Sequence, residues 1–123
     1  MNEETKILIV EDEAITSMLL EVELSNLGYA CTCVSTGEEA IDRVRMMNFS
    51  LVLMDIRLAG GMNGIETAAQ IRQQAQTLPI IFATGYSDKK MIEDANHVNP
   101  VCYLVKPLKL KELLAVIQSL LKP

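Results

Sequence analysis

Five short apolar runs constrain this chain more than any other feature: Lys6 to Val10, Tyr29 to Val34, Leu51 to Asp55, Ile80 to Ala83 and Val101 to Val105. Each is too brief for a buried helix and is bounded by polar or turn-forming residues, so each reads as a strand buried on both faces. Between them the apolar residues recur at helical spacing. Strands that alternate with helices in this way build a parallel sheet covered on both sides, joined by short right-handed crossovers. The expected architecture is one α/β domain over residues 1–123, a doubly wound (βα)5 unit with a five-stranded parallel sheet.

The helical stretches carry their own signals. From Ala14 to Leu27, the residues Ile15, Met18, Leu19 and Val22 together with Leu20, Leu24 and Leu27 predict a helix with a wide buried face, stopped by Gly28. Ser35 with Glu38, or Thr36 with Glu39, offers a capping box for a second helix. Ile56 to Asn63 lacks periodicity and contains Gly60 and Gly61, which marks a loop; helical spacing resumes from Gly64 to Ala75. Ser87 or Asp88 can cap a short, polar fourth helix, and Leu110, Leu113, Leu114, Ile117 and Leu121 line a fifth.

Composition excludes several functions. The net charge of −5 leaves nothing to neutralise a row of phosphates, so nucleic acid is not an expected direct partner. No apolar stretch approaches membrane-spanning length and no secretory pattern opens the chain, which points to the cytoplasm. Cys31, Cys33 and Cys102 are odd in number and lie in apolar segments, as expected of reduced, buried thiols.

The chemistry gathers at the strand ends. Glu11 and Asp12 follow the first run, Asp55 ends the third, Thr84 follows the fourth and Lys106 the fifth. In an open parallel sheet, ligands bind outside those carboxyl ends. Clustered carboxylates repel unless a cation joins them, and a hard divalent ion such as Mg²⁺, or Mn²⁺, suits an oxygen donor set. A lysine and a hydroxyl beside the acids complete a site that can receive a phosphoryl group on Asp55.

The segments Ile7-Leu8-Ile9-Val10-Glu11-Asp12-Glu13, Leu53-Met54-Asp55-Ile56, Ala83-Thr84-Gly85 and Leu104-Val105-Lys106-Pro107 occur in that order, and together they resemble the receiver domain of two-component response regulators. The resemblance implies a flavodoxin-like sheet of order 2-1-3-4-5. It implies that Asp55 accepts a phosphoryl group from a sensor histidine kinase or a small phosphodonor. Asp12, Asp55 and the backbone carbonyl of Arg57 would bind Mg²⁺, with Glu11 acting mostly through water. Thr84 would be the switch hydroxyl, Tyr103 the switch aromatic and Lys106 the phosphoryl ligand, with a cis Lys106-Pro107 bond. The fourth helix, fifth strand and fifth helix would signal to an output domain or effector, or pair two copies as a homodimer. Arg57 and Tyr86, each two places beyond a reactive residue, would flank the phosphoryl group and slow its hydrolysis. The chain departs from the family after the acceptor, where Ala59 stands in place of a common proline and Gly60-Gly61 lengthen the loop.

Two other readings fit the same acids. An aspartate-nucleophile phosphotransferase or phosphatase usually needs a second acid two residues after the nucleophile, where this chain has Arg57. A scaffold that is never phosphorylated would not need the acids, the acceptor and the lysine together.

Overall fold

The computed structural model describes residues 4–85 and 89–121. Five strands, β1 (Lys6–Val10), β2 (Ala30–Val34), β3 (Leu51–Asp55), β4 (Ile80–Thr84) and β5 (Cys102–Val105), alternate with five helices. These are α1 (Ala14–Asn26), α2 (Gly37–Met46), α3 (Gly64–Gln74), α4 (Lys89–Asn96) and α5 (Leu110–Leu121). All strand pairs are parallel and the sheet order is β2-β1-β3-β4-β5. The order reverses between β1 and β3, so the crevice outside their carboxyl ends is where a ligand fits.

Strand alternation sorts the core into two layers. Leu8, Val10, Val52, Met54, Ile80 and Phe82 face α2, α3 and α4, meeting Ala40, Ile41, Ala68, Ile71 and Ala95. Ile7, Ile9, Leu51, Leu53, Ile81 and Ala83 face α1 and α5, meeting Leu20, Leu24, Leu113 and Ile117. Every residue of β3 and β4 is buried, which is why those runs are apolar without interruption.

The wide buried face expected of α1 is not present. Only Leu20 and Leu24 are buried, whereas Ile15 is 71% exposed, Met18 61%, Leu19 56% and Val22 51%. The apolar residues lie on two sides of the helix, and the sheet takes only the row that faces it. The other row stays in solvent.

Local capping follows the sequence at α2, where the Glu39 amide donates to Thr36 Oγ1 at 3.2 Å and the Glu39 carboxylate accepts from Ser35. Those bonds hold the Glu39 carboxyl below its ordinary range. At α3, Asn63 and Glu66 form a reciprocal capping box. The cap expected of α4 falls on Ser87 and Asp88, outside the described residues. Cys31, Cys33 and Cys102 are free and half-buried rather than fully buried; partial burial raises all three thiols, Cys31 to about 11.

One side chain ties together connections distant from each other. Arg72, on α3, donates from Nε to Val98 O at 2.8 Å, from Nη1 to Leu78 O at 2.5 Å and Ala75 O at 3.3 Å, and from Nη2 to Asn99 O at 3.0 Å. The planar fork thus serves the end of α3, the entry to β4 and the turn between α4 and β5. Asn99 is held at φ 52°, a left-handed conformation that asparagine tolerates.

Candidate functional site

The carboxyl ends of β1, β3, β4 and β5 bring the chemically capable residues together. Glu11 follows β1 and is 5% exposed; its amide donates to Val34 O at 3.0 Å, which fixes the chain as it leaves the sheet. Asp12 stands beside it and is exposed. Asp55 ends β3 and is 6% exposed, and Thr84 ends β4 and is buried. Lys106 directly follows β5 and precedes a cis Lys106-Pro107 bond, and its amide donates to Thr84 O at 2.7 Å.

The two buried carboxylates are held alike. Lys106 Nζ donates to Glu11 Oε2 and to Asp55 Oδ2, both at 3.0 Å. The second oxygen of each accepts a local backbone N–H, Glu13 onto Glu11 Oε1 and Arg57 onto Asp55 Oδ1, both at 3.2 Å. Four hydrogen bonds from three donor groups therefore orient the two carboxylates. Burial is the main reason that Glu11 is pushed up to about 7; the adjacent Asp55 adds to the rise and Lys106 opposes it. For Lys106, burial acts to lower the pKa, but Glu11 and Asp55 outweigh it and hold the ammonium above its ordinary range.

Carboxylate oxygens of Glu11, Asp12 and Asp55 lie within 4.8 Å of one another. At that spacing each ionised pair repels by about 3–4 kcal/mol at an effective dielectric near 20. Three acids against one ammonium leave the site net negative once ionised, a charge that a divalent cation offsets. The all-oxygen donor set, partly open at Asp12, fits Mg²⁺, which keeps several waters and takes few carboxylates.

The loop after Asp55 is built by close backbone approaches. The Gly64 amide donates to Ile56 O at 2.7 Å, and a Cβ at Gly64 would lie 2.1 Å from Asp55 O. Only glycine lets the start of α3 sit against the acceptor strand. Arg57, just inside that loop, has an exposed side chain.

Tyr103 on β5 lies opposite Phe82 and is half-buried against the α2–α4 side of the core. Tyr86 falls outside the described residues. The sequence reading missed the Asn63–Glu66 box, whose signal is the Asn-Gly-Ile-Glu spacing, and it missed Arg72, for which no local signal exists.

The chain is similar in sequence and in fold to known proteins. The chain is similar to the response regulator ArlR of Staphylococcus aureus, 36% identical over 118 residues that cover 96% of this chain and 53% of that protein. It is similar to the transcriptional regulatory protein ZraR of Escherichia coli, 32% identical over 115 residues, covering 94% of this chain and 26% of that protein. It thus spans about half and about a quarter of the length of these relatives. Among solved structures, the response regulator TrrA of Thermotoga maritima, in complex with Mg²⁺-BeF, superposes with a TM-score of 0.85 at 32% identity, covering 95% of this chain and 99% of that one. Residues 7–118 match the response regulator receiver domain family, to which this chain belongs.

Proposed function

We propose that residues 1–123 form one receiver domain in which Asp55 is the phosphoacceptor of a two-component phosphorelay. The observation that carries this reading is Lys106 Nζ, shared at 3.0 Å between Asp55 and Glu11 at the mouth of a buried acidic site. An Asp55 carboxylate oxygen attacks phosphorus in line. The P–N bond of a phosphohistidine breaks as a P–O bond to Asp55 forms, the electron pair stays on the imidazole nitrogen, and that nitrogen takes a proton from solvent. Lys106 and the Thr84 hydroxyl meet the phosphoryl oxygens, and the Arg57 amide keeps the carboxylate turned outward. Asp12, Asp55 and the Arg57 carbonyl would hold Mg²⁺, with Glu11 beside them; when bound, the ion neutralises charge on the phosphoryl oxygens. Mn²⁺ has the same donor preference.

Incubation with Mg²⁺ and a small acyl phosphate should label the wild-type chain once, and Asp55→Asn not at all, as read by intact mass. Continuous release of phosphate from added esters would instead favour an aspartate phosphotransferase or phosphatase, and no labelling would favour a scaffold. Against turnover stands Arg57, which occupies the place of a leaving-group acid.

A histidine kinase needs a docking surface beside Asp55, and the exposed row of α1 supplies one. Between α1 and the loop after β5 lies a cavity of about 500 Å³, lined by Leu19, Leu20, Lys106, Pro107 and Leu108. A phosphohistidine-bearing helix seated on Ile15, Met18 and Leu19 would reach the site past Lys106. Ile15→Glu combined with Met18→Glu is expected to slow transfer at least tenfold from a histidine kinase that labels the wild type, with labelling by acyl phosphate unchanged. Equal losses from both donors would remove α1 from the docking surface.

Phosphorylation adds nearly two negative charges, and contacts to Thr84 and Lys106 that exist in only one conformation shift the equilibrium toward it. Tyr103 and the α4–β5–α5 face carry the change to an effector, an output domain or a second copy. Val101, Val105 and Leu121, exposed at 41%, 58% and 37%, give that face apolar contact points. Among the described residues no helix is long and apolar enough to cross a membrane, in keeping with a cytoplasmic site of action.

A further inference from the structure

The lengthened loop from Arg57 to Asn63 is fastened at three places. Its base is closed by the Gly64 amide on Ile56 O at 2.7 Å. Its tip pairs with the corner between β2 and α2, where Ala59 and Thr36 form a parallel bridge. Its far end is held by α3, where Thr67 Oγ1 donates to Asn63 O at 2.8 Å.

Gly37, the first residue of α2, fits against the last of these fastenings. A Cβ there would lie 2.0 Å from Thr67 Oγ1, 3.2 Å from Thr67 Cβ and 3.4 Å from Met62 Cβ. Thr67 is fully buried and cannot swing into solvent. The Glu38 carboxylate lies alongside the tip, 3.6 Å and 3.5 Å from where Cβ atoms of Gly60 and Gly61 would stand. Gly60 itself holds φ +96°, a conformation that L side chains rarely adopt.

From this geometry we infer that the β2–α2 corner positions the backbone of the β3–α3 loop for Mg²⁺, with Gly37 as the positioning residue and Gly60 setting the tip. The inference rests on the reading of Asp55 as a metal-assisted acceptor. The extra loop residues lean on α2, and the Arg57 carbonyl and amide inherit their placement from that contact. Outer-layer groups of this kind typically govern metal affinity by 10–100-fold. By linkage, a bound cation stabilises the corner in return.

The test is a Mg²⁺ titration of the full chain, followed by the backbone amide resonances of Arg57, Leu58 and Thr36. Gly37→Ala is expected to raise the half-saturating Mg²⁺ concentration about tenfold. Thr67→Ala removes the oxygen that the new methyl meets but also the bond to Asn63 O, so it serves as the reference, and the pair Gly37→Ala/Thr67→Ala is expected to bind Mg²⁺ within about threefold of Thr67→Ala alone. Gly60→Ala, at an exposed tip where folding is not at stake, is expected to shift half-saturation several-fold in the same direction. The Thr36 resonance is expected to move with Mg²⁺ in the wild type although Thr36 offers no ligand. Unchanged half-saturation in Gly37→Ala and Gly60→Ala would overturn the inference, as would a Gly37→Ala/Thr67→Ala pair that matches Thr67→Ala in thermal stability but binds Mg²⁺ about tenfold more weakly than it. A wild-type chain with no saturable response that Asp55→Asn abolishes would instead overturn the metal-site reading, and this inference with it.

Discussion

Lys106→Met is expected to fold but to lose about 2–3 kcal/mol of stability at pH 8 in the presence of a chelator, as measured by urea unfolding. The ammonium bonds two carboxylates that are 5% and 6% exposed. Removing one member of a buried ion pair typically costs 3–5 kcal/mol. Here the Lys106 side chain is 28% exposed, so solvent screens part of the interaction, and the lower figure follows. The gap from wild type should narrow at pH 6, where Glu11 takes up a proton, and in Mg²⁺, which supplies the missing charge. Acyl-phosphate labelling should slow at least tenfold. Equal stability of the two chains at pH 8 without metal would show that Lys106 does not neutralise the site.

The wild-type chain, freed of divalent metal, is expected to lose on the order of 3 kcal/mol of stability as pH rises from about 4.5 to about 7. Glu11 has its carboxyl pushed up to about 7 from 4.5 in the folded chain, so the folded state binds its proton more tightly than the unfolded state. Stability then falls with rising pH across that window, by about 1.4 kcal/mol for each unit between the two values. The lowered carboxyl of Glu39 has the opposite sign, but its stabilisation is lost as pH falls below the ordinary carboxylate range and does not enter the same window. Glu11→Gln should flatten the profile. Denaturation midpoints measured from pH 5 to 8 decide the matter: parallel curves for wild type and Glu11→Gln would contradict the burial of an ionisable group at that position.

Strand positions were legible because buried parallel strands leave a strong local mark. Leu51 to Asp55 is β3 with the same ends, and the reactive residues were found by asking what stands after each such run. Helix exposure was not legible in α1. Spacing counts apolar residues without knowing how much of the helix circumference a neighbour covers, so Ile15 and Leu20 look alike in sequence and differ in solvent. The lengthened loop was visible as Gly60-Gly61, but its seat on α2 depends on Gly37 meeting Thr67, far apart in the chain. The buried acid at Glu11 was seen as a ligand candidate, whereas its raised pKa depends on burial that only the packed sheet creates.

Arg72 bears on how this fold comes apart. Its four acceptor carbonyls belong to the end of α3, the approach to β4 and the turn after α4, so no one of these can detach without releasing a donor that serves the others. The far end of α4 is thereby moored to the body of the protein, while its near end is joined through the chain to Thr84. A displacement of α4 that leaves the Arg72 bonds intact is therefore expected to be larger at Lys89 than at Val98 and Asn99, as a lever swings about its heel.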